Sequence, residues 1–195
     1  TGIRQGFGPE GDAWSPSLGA FCLDTGARPD VTADYLTNYQ MPFLSSDKTV
    51  NPADASRFLA LLQDTETSTW KVENPTIFKD IVTGVYVDTK FDHAMTLITK
   101  DEDFEAEVND HKVYQTITLP AGYYAFGVEG CEAITEKESY IVAAKGAGLP
   151  NTSRLTADAL SYAPLADGEI VFSVSRPTEL SLGMLLNVRG EYTIK

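Results

Sequence analysis

The chain has 195 residues and a formal net charge of −13, with 28 acidic residues against 15 basic ones. That balance argues against nucleic acids and anionic polysaccharides as partners, because such binding is driven by clustered Lys and Arg, which here are scattered singly. The length suits one domain, or one domain with an appended segment, that can bury its core without metal or disulfide staples. No run of about 18 apolar residues offers a membrane span.

Residues 1–29 are rich in Gly and Pro, with one short apolar run from Leu18 to Leu23, and read as a linker or N-terminal extension. Gly6-Phe7-Gly8-Pro9-Glu10-Gly11 has the letter pattern of a dinucleotide fingerprint. No strand pattern precedes it, no helix pattern follows it, and Pro9 and Glu10 oppose both the turn and the pyrophosphate charge. Residues 30–195 read as the folded domain. Asp30-Val31-Thr32 opens a short helical turn in which Asp30 or Thr32 accepts from free backbone donors. A longer helix is expected from Asn51 to Gln63, with Asn51 as N-cap, Pro52 in the first turn, and Phe58, Leu59, Leu61 and Leu62 as an apolar stripe. Cys22 and Cys131 match no metal or redox spacing, which leaves two buried thiols or one disulfide pinning the N-terminal segment.

From Val72 onward the pattern has a period of two. Strands are expected at Gly84 to Asp88, His93 to Thr99, Val113 to Leu119, Tyr123 to Glu129, Ser139 to Ala144, Glu169 to Ser175, Thr178 to Leu186 and Glu191 to Lys195. Ile170, Phe172 and Val174 oppose Glu169 and Ser173, and Leu180, Leu182, Met184 and Leu186 repeat the device. Val113, Ile117 and Leu119 share one face of their run; Tyr124, Phe126 and Val128 share one face of the next. The intervening Leu119-Pro120-Ala121-Gly122 reads as the corner of a hairpin, with a residue that cannot donate beside one that turns freely. The expected class is all-β, an antiparallel β-sandwich of the jelly-roll kind with one or two short helices.

Three landmarks carry a family resemblance: Asp30-Val31-Thr32 with Tyr35, Leu36 and Asn38; the Tyr114 to Tyr124 stretch; and Leu180-Ser181-Leu182-Gly183. Over residues 30–195 the chain resembles the galactose-binding-like jelly-roll domains of unknown function found in surface lipoproteins of gut Gram-negative anaerobes. The resemblance implies export to the periplasm or outer cell surface, a lipid anchor on a part of the parent chain outside these residues, and association with glycan capture. The Asn51 to Gln63 segment departs from that family's pattern.

Sugar recognition needs an aromatic face for the C–H groups of a pyranose, and polar side chains that read its hydroxyls. Trp14, in a polar Gly/Pro loop, is either a contact surface or packed on the sheets, and Trp70 reads as core. The turn Asp88-Thr89-Lys90-Phe91-Asp92-His93 places two carboxylates, a cation, an aromatic ring and an imidazole on one loop end. It is either a ligand loop or a solvated hairpin tip. Tyr123, out of phase with Tyr124 and Phe126, is either a platform on an outer sheet face or a cross-strand aromatic. Gln115, on the apolar side of its strand, reads as a satisfied core amide. Asp101 and Asp103, among further acids, could supply oxygen ligands to a structural calcium, although the spacing is not that of an EF-hand and a solvated acidic loop is the alternative.

Catalytic signatures are lacking: the histidines are His93 and His111, with no nucleophile elbow and no zinc-binding helix motif. A glycosidase would need two carboxylates about 5–10 Å apart, which only tertiary structure reveals. The expected function is a non-catalytic module binding a neutral glycan. The alternatives are a structural or protein-interaction spacer contacting other domains of the parent lipoprotein and, third, a glycosidase.

Overall fold

The computed structural model describes residues 2–6, 29–44, 49–50, 59–61, 70–73, 84–88, 92–98, 107–128, 139–189 and 192–194. In chain order the strands are β1 (Gly2–Gly6), β2 (Thr49–Val50), β3 (Leu59–Leu61), β4 (Lys71–Glu73), β5 (Gly84–Asp88), β6 (Ala94–Ile98) and β7 (Glu107–Leu119). They continue with β8 (Gly122–Gly127), β9 (Tyr140–Lys145), β10 (Ala159–Pro164), β11 (Glu169–Val174), β12 (Thr178–Arg189) and β13 (Tyr192–Ile194). Among the described residues two short α-helices accompany them, α1 (Thr32–Tyr35) and α2 (Leu155–Asp158). The protein is therefore mostly antiparallel β-sheet.

Among the described residues the strands form three sheets: β1-β8-β11, β10-β9-β12-β7-β4 and β13-β6-β5-β3-β2. Alternation sets their faces. Along β11, Ile170, Phe172 and Val174 are buried, and the residues between them are exposed. Tyr124, Phe126, Ile170 and Phe172 of the first sheet, Val113, Ile141, Leu180 and Met184 of the second, and Val87 and Met95 of the third belong to one buried apolar cluster. A smaller cluster of Tyr114, Val142, Ala144, Leu149, Leu155 and Leu185 lies on the other side of the second sheet. Pro164 sits in β10 at that sheet's edge, where its missing donor costs no ladder bond.

The β7–β8 pair corrects the hairpin expected around Pro120. β7 takes β12 and β4 as partners, whereas β8 takes β1 and β11, so the corner carries the chain from one sheet to another. Both edges of β7 are already paired, and both strands direct their alternate apolar residues into the same cluster. The Tyr124 hydroxyl clips the corner by donating to the Pro120 carbonyl at 2.9 Å.

The helix expected over Asn51 to Gln63 is also corrected where the structure describes it. Leu59–Leu61 is a strand paired with Asp88, Val87 and Tyr86 on one side and with Thr49–Val50 on the other. Backbone pairing with neighbouring strands outweighs a weak local helix preference over so short a run. At the N-terminus, Gly2–Gly6, expected within a tail, pairs with β8 as an edge strand. Residues 7–28, with the rest of the fingerprint match and Cys22, lie outside the described residues, as does Cys131.

The landmark residues near Asp30 tie the segment 30–44 to the sheets. Asp30 Oδ1 accepts from the Thr32 amide at 2.9 Å, which makes Asp30 the acceptor at this turn. Asn38 bonds the Leu44 backbone twice, accepting from its N–H at 2.7 Å and donating to its carbonyl at 2.9 Å. The buried Trp70 indole donates to the Asn38 carbonyl at 2.7 Å, so Trp70 is a core residue with its one polar atom satisfied. Gln115 is likewise a satisfied core amide, donating to Thr37 O at 2.6 Å and accepting from Thr37 N at 3.1 Å.

Candidate binding face and end cleft

β8 is the middle strand of its sheet, so its residues are flanked on both sides. In register, Tyr123 lies between Gly6 and Ser173, Ala125 between Arg4 and Val171, and Gly127 between Gly2 and Glu169. Tyr124 and Phe126 turn into the core, where Tyr124 stacks on Phe172 with ring centroids 5.8 Å apart. Burial, helped by the nearby Tyr35, raises the pKa of the Tyr124 phenol, which keeps it a neutral donor to Pro120. Strand alternation then sends Tyr123 to the opposite face, where 46% of it remains exposed beside an exposed Ser173 and a Val171 that is 52% exposed. The result is an aromatic ring next to a hydroxyl, with Arg4, Ala125 and Val171 at the next register positions along the sheet.

A cleft of about 540 Å³ borders this face. Its lining includes Ser173, Ser175, Arg176, Thr178 and Glu179 from the end of β11, the following turn and the start of β12, together with Lys145 from the end of β9. The Thr178 hydroxyl closes the turn by donating to Arg176 O at 2.7 Å, and the Gly146 amide donates to Glu179 O at 2.9 Å. Ser173 belongs both to the cleft and to the row that contains Tyr123.

The other sequence-selected residues fall elsewhere. Asp88 ends β5 opposite Ala94, and Asp92 and His93 follow in the same loop, both exposed with φ of 56° and 59°. The His93 carbonyl accepts from the Phe43 amide at 3.0 Å, which moors that loop to the 38–44 segment. This brings Asp88, Asp92 and His93 together on the β13-β6-β5-β3-β2 sheet, while Tyr123 belongs to the β1-β8-β11 sheet. Trp14, Lys90, Phe91, Asp101 and Asp103 lie outside the described residues. Among the described residues no group of three His, Cys, Asp or Glu side chains gathers to hold a metal. Sequence reasoning misses Lys145 and Arg176 as site residues. The signal was present as Ser175-Arg176-Pro177-Thr178 between two alternating strands, but Lys145 joins it only through the β9–β12 pairing.

Two further groups have unusual electrostatics. His111, opposite Leu186 and fully buried, has no hydrogen-bond partner among the described residues on either ring nitrogen, and burial lowers its pKa to about 4. The Tyr114 hydroxyl donates to Glu73 Oε1 at 2.6 Å, and burial first, then the Glu73 hydrogen bond and charge, raise its pKa to about 12. Lys112 faces the other Glu73 oxygen at 3.4 Å.

Residues 63–183 match the family described as a domain of unknown function (DUF5013), and the chain belongs to that family. No curated protein and no solved structure matched the chain. No helix among the described residues is long and apolar enough to cross a membrane.

Proposed function

We propose that the chain is a non-catalytic carbohydrate-binding module whose sheets form a galactose-binding-like jelly-roll sandwich, with a neutral saccharide stacking on Tyr123. The observation that carries this reading is the half-exposed Tyr123 ring on the central strand of its sheet, with the Ser173 hydroxyl in the same row and a cleft beginning at that residue. An aromatic plane supplies apolar contact at low entropic cost, and an adjacent hydroxyl reads polar substituents. The crossing of the chain between sheets at Pro120, with both strands feeding one core, supports the sandwich.

Trp14 is proposed as a further aromatic contact. The loop with Asp88, Lys90, Phe91, Asp92 and His93 is proposed as a second contact region, and Asp101 and Asp103 as ligands of a structural calcium. Export, lipid anchoring and a place at the cell surface are proposed from the resemblance carried by Asp30 to Asn38, the Tyr114 to Tyr124 stretch and Leu180 to Gly183.

A glycan array probed in calcium-containing buffer with the wild type, Tyr123→Ala and an Asp92→Ala/His93→Ala variant tests the reading. Selective binding to a neutral saccharide that Tyr123→Ala abolishes is expected. Silence of the folded wild type across a broad panel would overturn it in favour of a spacer or protein-interaction role, and cleavage of a bound glycan would favour a glycosidase.

A further inference from the structure

Five cations have described side chains: Lys71, Lys112, Lys145, Arg154 and Arg176. Lys112 pairs with Glu73, Arg154 makes two hydrogen bonds to Asp158 at 2.9 and 3.0 Å, and Lys71 has an interaction of its own. Among the described residues Lys145 and Arg176 have no ion-pair partner, and both line the cleft beside Tyr123. In a chain of net charge −13, two cations brought from the end of β9 and from the β11–β12 turn to one concavity form a local exception to the field around them.

We infer that this cleft binds the carboxylate of an acidic sugar residue within an otherwise largely neutral saccharide. The inference rests on the Tyr123 reading and extends it to the ligand's charge. Lys145 and Arg176 provide charge-assisted donors, and Arg176 can grip a carboxylate with two parallel N–H groups. Ser173, Ser175 and Thr178 surround them with hydroxyls suited to a polyhydroxylated ligand rather than an apolar one. Glu179, the carboxylate in the lining, halves the local positive excess and can accept from a sugar hydroxyl. The wider negative charge of the chain repels a polyanion, so the fitting ligand carries isolated carboxylates rather than a dense array of them. The volume of about 540 Å³ falls within the range of small-ligand sites.

The test is calorimetric titration of paired oligosaccharides that differ only in oxidation at C6, galactose-type against galacturonate-type and glucose-type against glucuronate-type, at low and at physiological salt. At least one carboxylated member is expected to bind ~10-fold more tightly than its neutral partner at low salt, with the advantage shrinking as salt rises. Lys145→Met and Arg176→Gln, confirmed as folded by thermal melting, are expected to erase that advantage, so that the two members of each pair bind alike. Equal affinity within each pair would overturn the inference and leave the Tyr123 reading standing. So would an oligo-glutamate peptide binding as tightly as the carboxylated sugar, since that would reveal charge attraction alone. Failure of every saccharide to bind would overturn both.

Discussion

Gly183 stands directly opposite Tyr114 in the β7–β12 pair, and a Cβ at Gly183 would lie 2.6 Å from Tyr114 Cα and 2.7 Å from Tyr114 Cβ, with the Val113 carbonyl closer still. The demand is for space. The neighbouring Ser181 is equally committed: its hydroxyl donates to Gly146 O at 2.9 Å, accepts from the Gly148 amide at 2.9 Å, and meets the Thr116 hydroxyl at 2.8 Å. Leu180-Ser181-Leu182-Gly183 is thus a packing motif that seats Tyr114 and the 146–148 turn on the sheet.

Gly183→Ala should therefore cost about 3 kcal/mol, because backbone atoms rather than a flexible side chain occupy the space a methyl group needs. Gly146→Ala is the control. It has φ of 77°, and no described residue comes within 4 Å of where a Cβ would lie, so the substitution costs only the left-handed backbone, about 1 kcal/mol. Urea denaturation of both variants checks this, and equal losses would contradict the steric account.

His111 gives stability a dependence on pH. Its folded pKa of about 4 lies below the ordinary 6.5, so above pH 6.5 the ring is neutral in both states and adds no pH dependence. Between 6.5 and 4 the unfolded chain takes up a proton that the folded chain refuses, and stability falls by on the order of 3 kcal/mol across the window. His111→Leu should remove that part of the acid sensitivity, read as a smaller difference between denaturation free energies at pH 7.5 and pH 4.5. The same difference as in the wild type would contradict the burial of a neutral imidazole.

Gln115 should behave as a strut for the segment 30–44. Gln115→Leu leaves the Thr37 amide and carbonyl without the partners they have at 3.1 and 2.6 Å, which should cost about 2 kcal/mol. Hydrogen exchange should show Thr37 losing protection more than Leu182, the cross-strand neighbour of Gln115. Uniform loss across the sheets would show that Gln115 acts on the whole core.

Glu73→Gln should bring the Tyr114 pKa down from about 12 while leaving it above 10, because burial, the first cause of the shift, persists when the charge and its hydrogen bond weaken. Ultraviolet titration of the phenol against a Tyr114→Phe reference measures it. An unchanged value would show that Glu73 exerts no influence.

Period-two alternation made much of the fold legible in the sequence. It gives Gly84–Asp88 with its bounds, and within the expected Glu169 to Ser175 and Thr178 to Leu186 it places Ile170, Phe172, Leu180 and Leu182 inward, as the structure has them. Alternation tells which side of a strand is buried but not which strand lies beside it. That is why Val113–Leu119 and Tyr123–Glu129 read as a hairpin although β7 and β8 belong to different sheets. Gly2–Gly6 and Ala159–Pro164 were not expected as strands, because Gly, Pro and polar residues blur their pattern and neighbouring strands supply the partners. At the candidate site, phase alone gave the outward position of Tyr123. The association of Lys145 with Arg176 depends on β9 pairing with β12, which no local pattern encodes.

The most direct test of the central claim is calorimetric titration of an array-selected saccharide into the wild type and Tyr123→Ala. The substitution should cost the fold under about 1 kcal/mol, as expected for a half-exposed cross-strand residue. The account predicts at least a ~10-fold loss of affinity with the melting temperature nearly unchanged. Wild-type affinity in a folded Tyr123→Ala protein would contradict it and move the site away from this face.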